Sequence, residues 1–384
     1  MNIYWITKIN KKRFYSTSRV ELSKALRERG HNVKLVIERN IGEKPSFDNN
    51  LISIPTVPCR IISRFLFGLI ILICFPFMIR KEKIDVILID GANVWSPFVL
   101  FLKFFKIPLI LDIRTISTDK ERSLETLYYD TSLFLSKYIV SGWTTITPEL
   151  QDVLVKKYKI KKEMIGIWTS GVSKELLLKP VERHRKIKIS IDPDCIYLMY
   201  HGTYEVTRGI ETLIESIAEF KYPLKKKIRL MIVGVDKFKE KDLLDLIDKL
   251  DLYENITLIP PVDHNDVYLY IDVCDVGVIP LPPNYVWWQV SAPMKTLEYL
   301  SRGKPIIATD IPFHRRIFDK GKCGLLLSSC DKKTLAEAIT KIYEEKDSLV
   351  EMGKIGREIV KKYYTWEKSA LDLEVFINKI IMMK

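Results

Sequence analysis

The chain lacks a C-x-x-C pair and any cysteine and histidine spacing suited to a zinc site, although it holds six cysteines, Cys59, Cys74, Cys195, Cys274, Cys323 and Cys330. A zinc ribbon and a redox dithiol are therefore excluded, and the thiols read as residues of a reducing compartment. Low-complexity tracts and repeats of solenoid length are absent too, which rules out a repeat scaffold. MNIYWITKIN shows no signal-peptide core followed by a small-residue cleavage site, so export is not expected. No apolar run reaches the ~20 residues of a membrane-spanning helix. The longest, FLFGLIILICFPFMI, covers Phe65 to Ile79, with Pro76 expected to disturb its end. The basic charge comes without a helix-turn-helix, zinc or RNP-type pattern, and no nucleic-acid partner is expected.

What is present suits two ordinary domains. A chain of 384 residues, 47% hydrophobic and 28% charged, is too long for one core and rich enough to bury two. Its formal charge of +13 favours anionic partners such as phosphorylated donors or acidic headgroups. The apolar run is bracketed by Arg60, Arg64, Arg80, Lys81 and Lys83. Residues 61–83 thus read as a segment in peripheral contact with an anionic membrane, at the inner face of the cell membrane; a helix buried under the sheet is the competing reading. Cytoplasmic residence is the expectation.

Short apolar runs alternate with helical patterns, the signature of parallel α/β sheets. In the first half the strands are residues 2–7, 32–38, 84–90, 107–113 and 144–147, with a helix from Ser18 to Arg29 and another capped by Thr147 and opened by Pro148. The alternation restarts with CIYLMYHG (195–202) and runs through IRLMIVG, ITLIP, VGVIPL, PIIATD and GLLLS. The expected organisation is a first Rossmann-like domain at 1–175, a linker at 176–190, a second Rossmann-like domain at 191–365, and a C-terminal helix at 366–384 packing back on the first. Ligands of such sheets bind at the carboxyl ends of the strands, so the facing edges are expected to form a cleft.

Chemistry concentrates in SAPMKTLEYLSRGKPIIATD, Ser291 to Asp310. Ser291 can cap a helix with Pro293 in its first turn, leaving backbone N–H groups for a diphosphate. Lys295 and Glu298 lie three positions apart on one helical face, a cation for phosphate and a carboxylate for vicinal ribose hydroxyls. A surface ion pair has the same spacing. NYVWWQ (284–289) just before this helix offers aromatic faces for sugar or base, or simple loop packing.

This segment resembles the EYLSRGKPII-type motif of the family 4 (group 1) nucleotide-sugar glycosyltransferases, which have the GT-B fold of two Rossmann-like domains. HGTYEVTRGIETLIESI (201–217), SGVSKELLLKP (170–180) and RERGHNVKLV (27–36) are similar to further segments of that family. The resemblance implies a retaining transfer of a sugar from a nucleotide-diphosphate sugar, with the first domain on the acceptor side and the second binding the nucleotide; no metal or other cofactor is expected, and the apolar run with its basic flanks points to a membrane-proximal or lipid-linked glycan or glycolipid acceptor. The resemblance also implies that Gly202, Thr203, Arg208 and Gly209 form the turn at the diphosphate, that Pro261 and Val262 read the base through backbone groups, and that Glu298 binds ribose. Arg208 and Lys295 would stabilise the leaving diphosphate. Two departures stand out. The first of two family glutamates, eight positions before Glu298, falls at Val290, and a basic position near the phosphates falls at Thr203.

In the first half, strand alternation puts Asp112 and Arg114 on one side at a carboxyl end, where Asp112 can serve an acceptor hydroxyl and Arg114 an acceptor or donor phosphate; a structural Asp and Arg pair fits as well. The loop KINKKRFYSTS lacks the glycines the family often has there. Asp192-Pro193-Asp194 fits a metal-binding D-x-D but reads as a turn before a strand. No carboxylate pair of glycosidase type is found. Two rivals share the fold: a nucleotide-sugar epimerase, and a noncatalytic partner subunit, which Val290 keeps in play.

Overall fold

The computed structural model describes residues 1–7, 17–43, 48–56, 60–90, 102–116, 124–178 and 191–383. The first strand-to-helix loop and most of the expected linker lie outside these residues. Two compact units emerge: Met1–Ser170 together with Trp366–Lys384, and Gly171–Thr365. Leu176 to Leu178 of the expected linker belong to a short helix, Lys174–Leu178, in the second unit.

The first unit is built on strands β1 (Asn2–Ile6), β2 (Asn32–Asn40), β3 (Leu51–Thr56), β4 (Val86–Asp90), β5 (Leu109–Ile113), β6 (Gly142–Thr145) and β7 (Ile165–Ile167). They form one parallel sheet in the order β3-β2-β1-β4-β5-β6-β7. β4 and β5 are buried along their whole length, which is why they read as continuous apolar runs. The sequence reading missed β3. Its LISIPT is only half buried and carries Pro55, which an edge strand tolerates because one side of its backbone is unpaired.

Thr147 caps the helix Pro148–Tyr158 as expected, accepting from the Leu150 N–H at 3.2 Å. The apolar run becomes the helix Arg60–Lys81, and Pro76, expected to disturb its end, sits inside it instead. Among the described residues no helix is long and apolar enough to cross a membrane. Ile71 and Phe75 of this helix are buried, whereas Leu69, Ile73 and Phe77, four residues apart, stay exposed. The last helix, Trp366–Met382, closes the unit. Phe376 fills the space where a side chain at Gly166 would be, and Arg29 pairs with Glu374 at 2.5 Å.

The second unit holds β8 (Ile196–His201), β9 (Ile228–Val233), β10 (Ile256–Ile259), β11 (Val276–Ile279), β12 (Ile306–Thr309) and β13 (Gly324–Leu327). They are parallel in the order β10-β9-β8-β11-β12-β13. Both sheets are Rossmann-like, as the alternation implies. The chain leaves β8 toward β9 on one side, while β11 joins on the other. This reversal opens a crevice at the carboxyl ends of β8 and β11, where such folds bind their ligands.

Candidate active site

The crevice between β8 and β11 is shaped by two glycines at backbone angles that side chains resist. Gly202, just past β8, has φ +119°, and a Cβ there would lie 3.3 Å from Lys295 Nζ. Gly209, with φ +71°, opens the helix Ile210–Ala218; a Cβ on it would meet the Pro280 carbonyl oxygen at 2.0 Å. The turn Gly202–Gly209 is thereby pressed against the loop that follows β11.

Lys295 and Glu298 project from the helix Met294–Ser301 and are both buried. The Lys295 ammonium stacks over the Tyr200 ring at 4.0 Å and makes no hydrogen bond. Burial, then the charge of Arg208, holds its pKa well below the usual lysine range. Arg208 rests 5.7 Å from the Trp288 ring, and its Nε is likewise buried without a hydrogen-bond partner. Glu298 Oε2 lies 3.3 Å from His201 Nε2 and its Oε1 3.8 Å from His264 Nε2. Burial raises the Glu298 pKa, against the pull of His264 and Lys295. His201, at the last position of β8, is driven well below its ordinary pKa by burial, then by Lys295 and His264, so its imidazole is neutral at pH 7.

The helix itself is anchored. Tyr299 donates its hydroxyl to the Met199 carbonyl at 2.8 Å, and its ring covers Gly277 of β11. Thr296 bonds His314 at 2.9 Å, and the other ring nitrogen of His314 reaches the Thr309 carbonyl at 2.7 Å. That carbonyl requires an N–H donor, which leaves the nitrogen facing Thr296 as acceptor. Behind the site Arg302 makes a bidentate pair with Asp272, at 2.7 and 2.6 Å.

Most of the sequence-predicted residues are therefore brought together: Gly202, Thr203, Arg208, Gly209, Lys295 and Glu298 meet at this crevice. Ser291 takes a different part from the one expected. Pro293 is the residue at the cap of the helix, and the Ser291 hydroxyl donates to the Trp288 carbonyl at 3.1 Å. Pro261 and Val262 lie in the loop between β10 and the helix His264–Val273. Trp288 donates its indole N–H to the Thr207 carbonyl at 2.9 Å, and Tyr285 stacks on Trp287 at 4.5 Å. Val290 is buried. Asp192 accepts the Asp194 N–H at 2.9 Å, the turn geometry expected before β8. Among the described residues no group of three or more His, Cys, Asp or Glu side chains gathers as a metal site.

Asp112 and Arg114 lie in the first unit, each in a different company. Asp112 is buried and accepts from Thr144 Oγ1 at 2.9 Å and Trp168 Nε1 at 3.1 Å, with Arg19 3.4 Å from its other oxygen. Arg114 stacks over Trp168 at 3.9 Å, and burial brings its pKa down to about 9. The partner that Asp112 acquires is Arg19, a pairing the local D-I-R spacing does not reveal. Asp90 was missed as well: Arg19 Nε lies 2.8 Å from it, and Thr7 donates to it at 2.5 Å. His201 and His264 were also missed, although the strand-end position of His201 before a glycine was a usable signal.

Comparison with known proteins agrees with this layout. The family model described as Glycosyl transferases group 1 matches residues 182–359, and the one described as Glycosyltransferase Family 4 matches residues 16–176. D-inositol 3-phosphate glycosyltransferase of Paenarthrobacter aurescens is 21% identical over 236 residues, 60% of this chain and 55% of that protein. The chain spans about half the length of the curated relatives it matches. Among solved structures, a glycosyltransferase from Rickettsia africae superimposes with a TM-score of 0.77 at 15% identity, covering 100% of this chain and 99% of the other. HepE of Anabaena in complex with UDP does so with a TM-score of 0.74 at 12% identity, covering 99% and 100%. With one model on each half and the two sheets in place, the chain belongs to the group 1, family 4 glycosyltransferases of GT-B fold.

Proposed function

We propose that the chain transfers a hexosyl group, with retention and without a metal ion, from a nucleotide-diphosphate sugar to a membrane-proximal or lipid-linked glycan acceptor. The observation that carries the donor half is a pair of buried cationic nitrogens without hydrogen-bond partners at one crevice: Lys295 Nζ, and Arg208 Nε, which has only Glu205 at 3.8 Å. Buried donors left unpaired are costly, and a site that tolerates them is built for a ligand rich in acceptors. A diphosphate supplies those acceptors, and the similar HepE structure is a complex with UDP. Lys295 and Arg208 then stabilise the negative charge that grows on the departing diphosphate, and Glu298 receives the ribose hydroxyls.

Thermal stability against a panel of uridine, guanosine and adenosine diphosphates tests this reading. A ligand at about 100 times its Kd stabilises the folded state by ~2.7 kcal/mol, a shift of several degrees. One base is expected to stabilise the wild type strongly and Glu298→Ala weakly. Failure of every nucleotide would return the protein to the noncatalytic reading that Val290 suggests.

The acceptor half rests on the helix Arg60–Lys81. Its exposed stripe of Leu69, Ile73 and Phe77 ends at the cations Arg80 and Lys81. Apolar side chains beside cations suit the headgroup boundary of an anionic bilayer. The double variant Ile73→Asp, Phe77→Asp is expected to lose about tenfold or more in binding to phosphatidylglycerol-containing vesicles, at about 1 kcal/mol per group. Its nucleotide-induced stabilisation stays as in the wild type. Equal vesicle binding by wild type and variant would remove this helix from the membrane contact.

A further inference from the structure

His201 has no role assigned by the resemblance, yet it sits where the ribose-binding carboxylate needs support. Its Nε2 lies 3.3 Å from Glu298 Oε2, and the nitrogen is buried without an aligned hydrogen bond. The ring is fixed on its other side, meeting Tyr299 edge-on at 5.0 Å and 66°. Tyr299 is itself tethered to Met199 of the same strand. His264, the second imidazole near Glu298, differs: its side chain is 32% exposed, it stands at the start of the helix His264–Val273, and its contact is Tyr268 at 3.5 Å. One imidazole is thus part of the sheet edge, and the other belongs to a loop-borne helix start.

A carboxylate that accepts from two vicinal hydroxyls must be turned so that its two oxygens face them. Glu298 reaches the crevice through a side chain with several rotatable bonds, so its orientation has to be held by something rigid. Besides the pull of Lys295, the groups within 4 Å of its oxygens in ion-pair range are the imidazoles of His201 and His264, and the rigid one is His201. We propose that His201 is a positioning residue for the nucleoside: it holds the Glu298 carboxylate in the orientation that receives both ribose hydroxyls, and so sets the preference for ribonucleotides over 2′-deoxyribonucleotides. The inference rests on the donor-site reading above and assigns it a specificity element.

The test uses the full chain, the uridine, guanosine and adenosine diphosphates, and their 2′-deoxy counterparts, with Kd measured by calorimetry. A hydrogen bond to a charged group corresponds to a roughly 10- to 100-fold preference for the ribo form in the wild type. His201→Gln keeps a nitrogen donor at the reach of Nε2, whereas His201→Asn is polar but too short. Gln is expected to retain most of the preference. Asn is expected to reduce it to about threefold or less, through weaker ribonucleotide binding with the deoxy form nearly unchanged. Under turnover the same loss appears in donor KM, with kcat little altered.

An unchanged ratio in His201→Asn would overturn the positioning role, and so would equal losses of both nucleotide forms in Asn and Gln, which mark a structural histidine. Wild-type protein that binds the diphosphates without any ribo preference would instead overturn the ribose role of Glu298, and the His201 proposal with it.

Discussion

Lys295→Met is expected to make the free protein more stable and the enzyme close to inactive. In the free state the ammonium is buried, has no hydrogen-bond partner and carries a depressed pKa, so folding is penalised for holding it. Methionine fills a similar volume without that penalty. An uncompensated buried polar group costs about 1 to 3 kcal/mol on protein scales, and its removal should raise Tm by roughly 2 to 10 °C. The ring of Tyr200 offsets part of this at 4.0 Å, which places the gain toward the lower end.

The same substitution removes a charge from the position where the diphosphate departs. Loss of one such stabiliser costs about 10²- to 10³-fold in turnover. The nucleotide-induced rise in Tm should shrink in parallel. Melting with and without the stabilising nucleoside diphosphate, followed by donor consumption with acceptor present, checks all three changes. A variant that is destabilised in the free state would show that Lys295 serves the fold, with no trade between stability and function at this position.

How far the sequence discloses this site follows from distance along the chain. Lys295 and Glu298 share a helix, so their spacing alone puts them on one face. Strands buried on both faces, such as β9, announce themselves as apolar runs, whereas half-buried β3 with its proline does not. Contacts made by the sheet order are illegible locally. His201 reaches Glu298, and Arg19 reaches Asp90 and Asp112, only because parallel strands bring their carboxyl ends to one edge. The mistaken cap at Ser291 has a different origin. The helix begins only at Met294, with Pro293 at its cap, so Ser291 stands two residues too early to accept from its first N–H groups and its hydroxyl instead donates to the Trp288 carbonyl.

Asp112→Asn decides between two roles for the strongest acidic candidate of the first unit. A general base must expose an oxygen to the acceptor hydroxyl. Asp112 instead spends one oxygen on Thr144 and Trp168, and the other faces Arg19, which also pairs with Asp90. Two buried carboxylates thus balance the guanidinium groups of Arg19 and Arg114, and the electrostatic influence of Asp112 on Arg114 favours its charged form. Asparagine keeps the acceptor for Thr144 and Trp168 but either turns an amide N–H₂ toward Arg19 or gives up those two bonds. Breaking one partner of a buried charge network costs about 3 to 5 kcal/mol. In a unit of this size that corresponds to a fall of roughly 6 to 20 °C in Tm. The nucleotide-induced stabilisation of the second unit should persist below that transition, since none of its residues belongs to the network. Unchanged melting with abolished transfer would reverse the assignment and make Asp112 the base after all, its hydrogen bonds then serving to aim the carboxylate rather than to hold the sheet edge together.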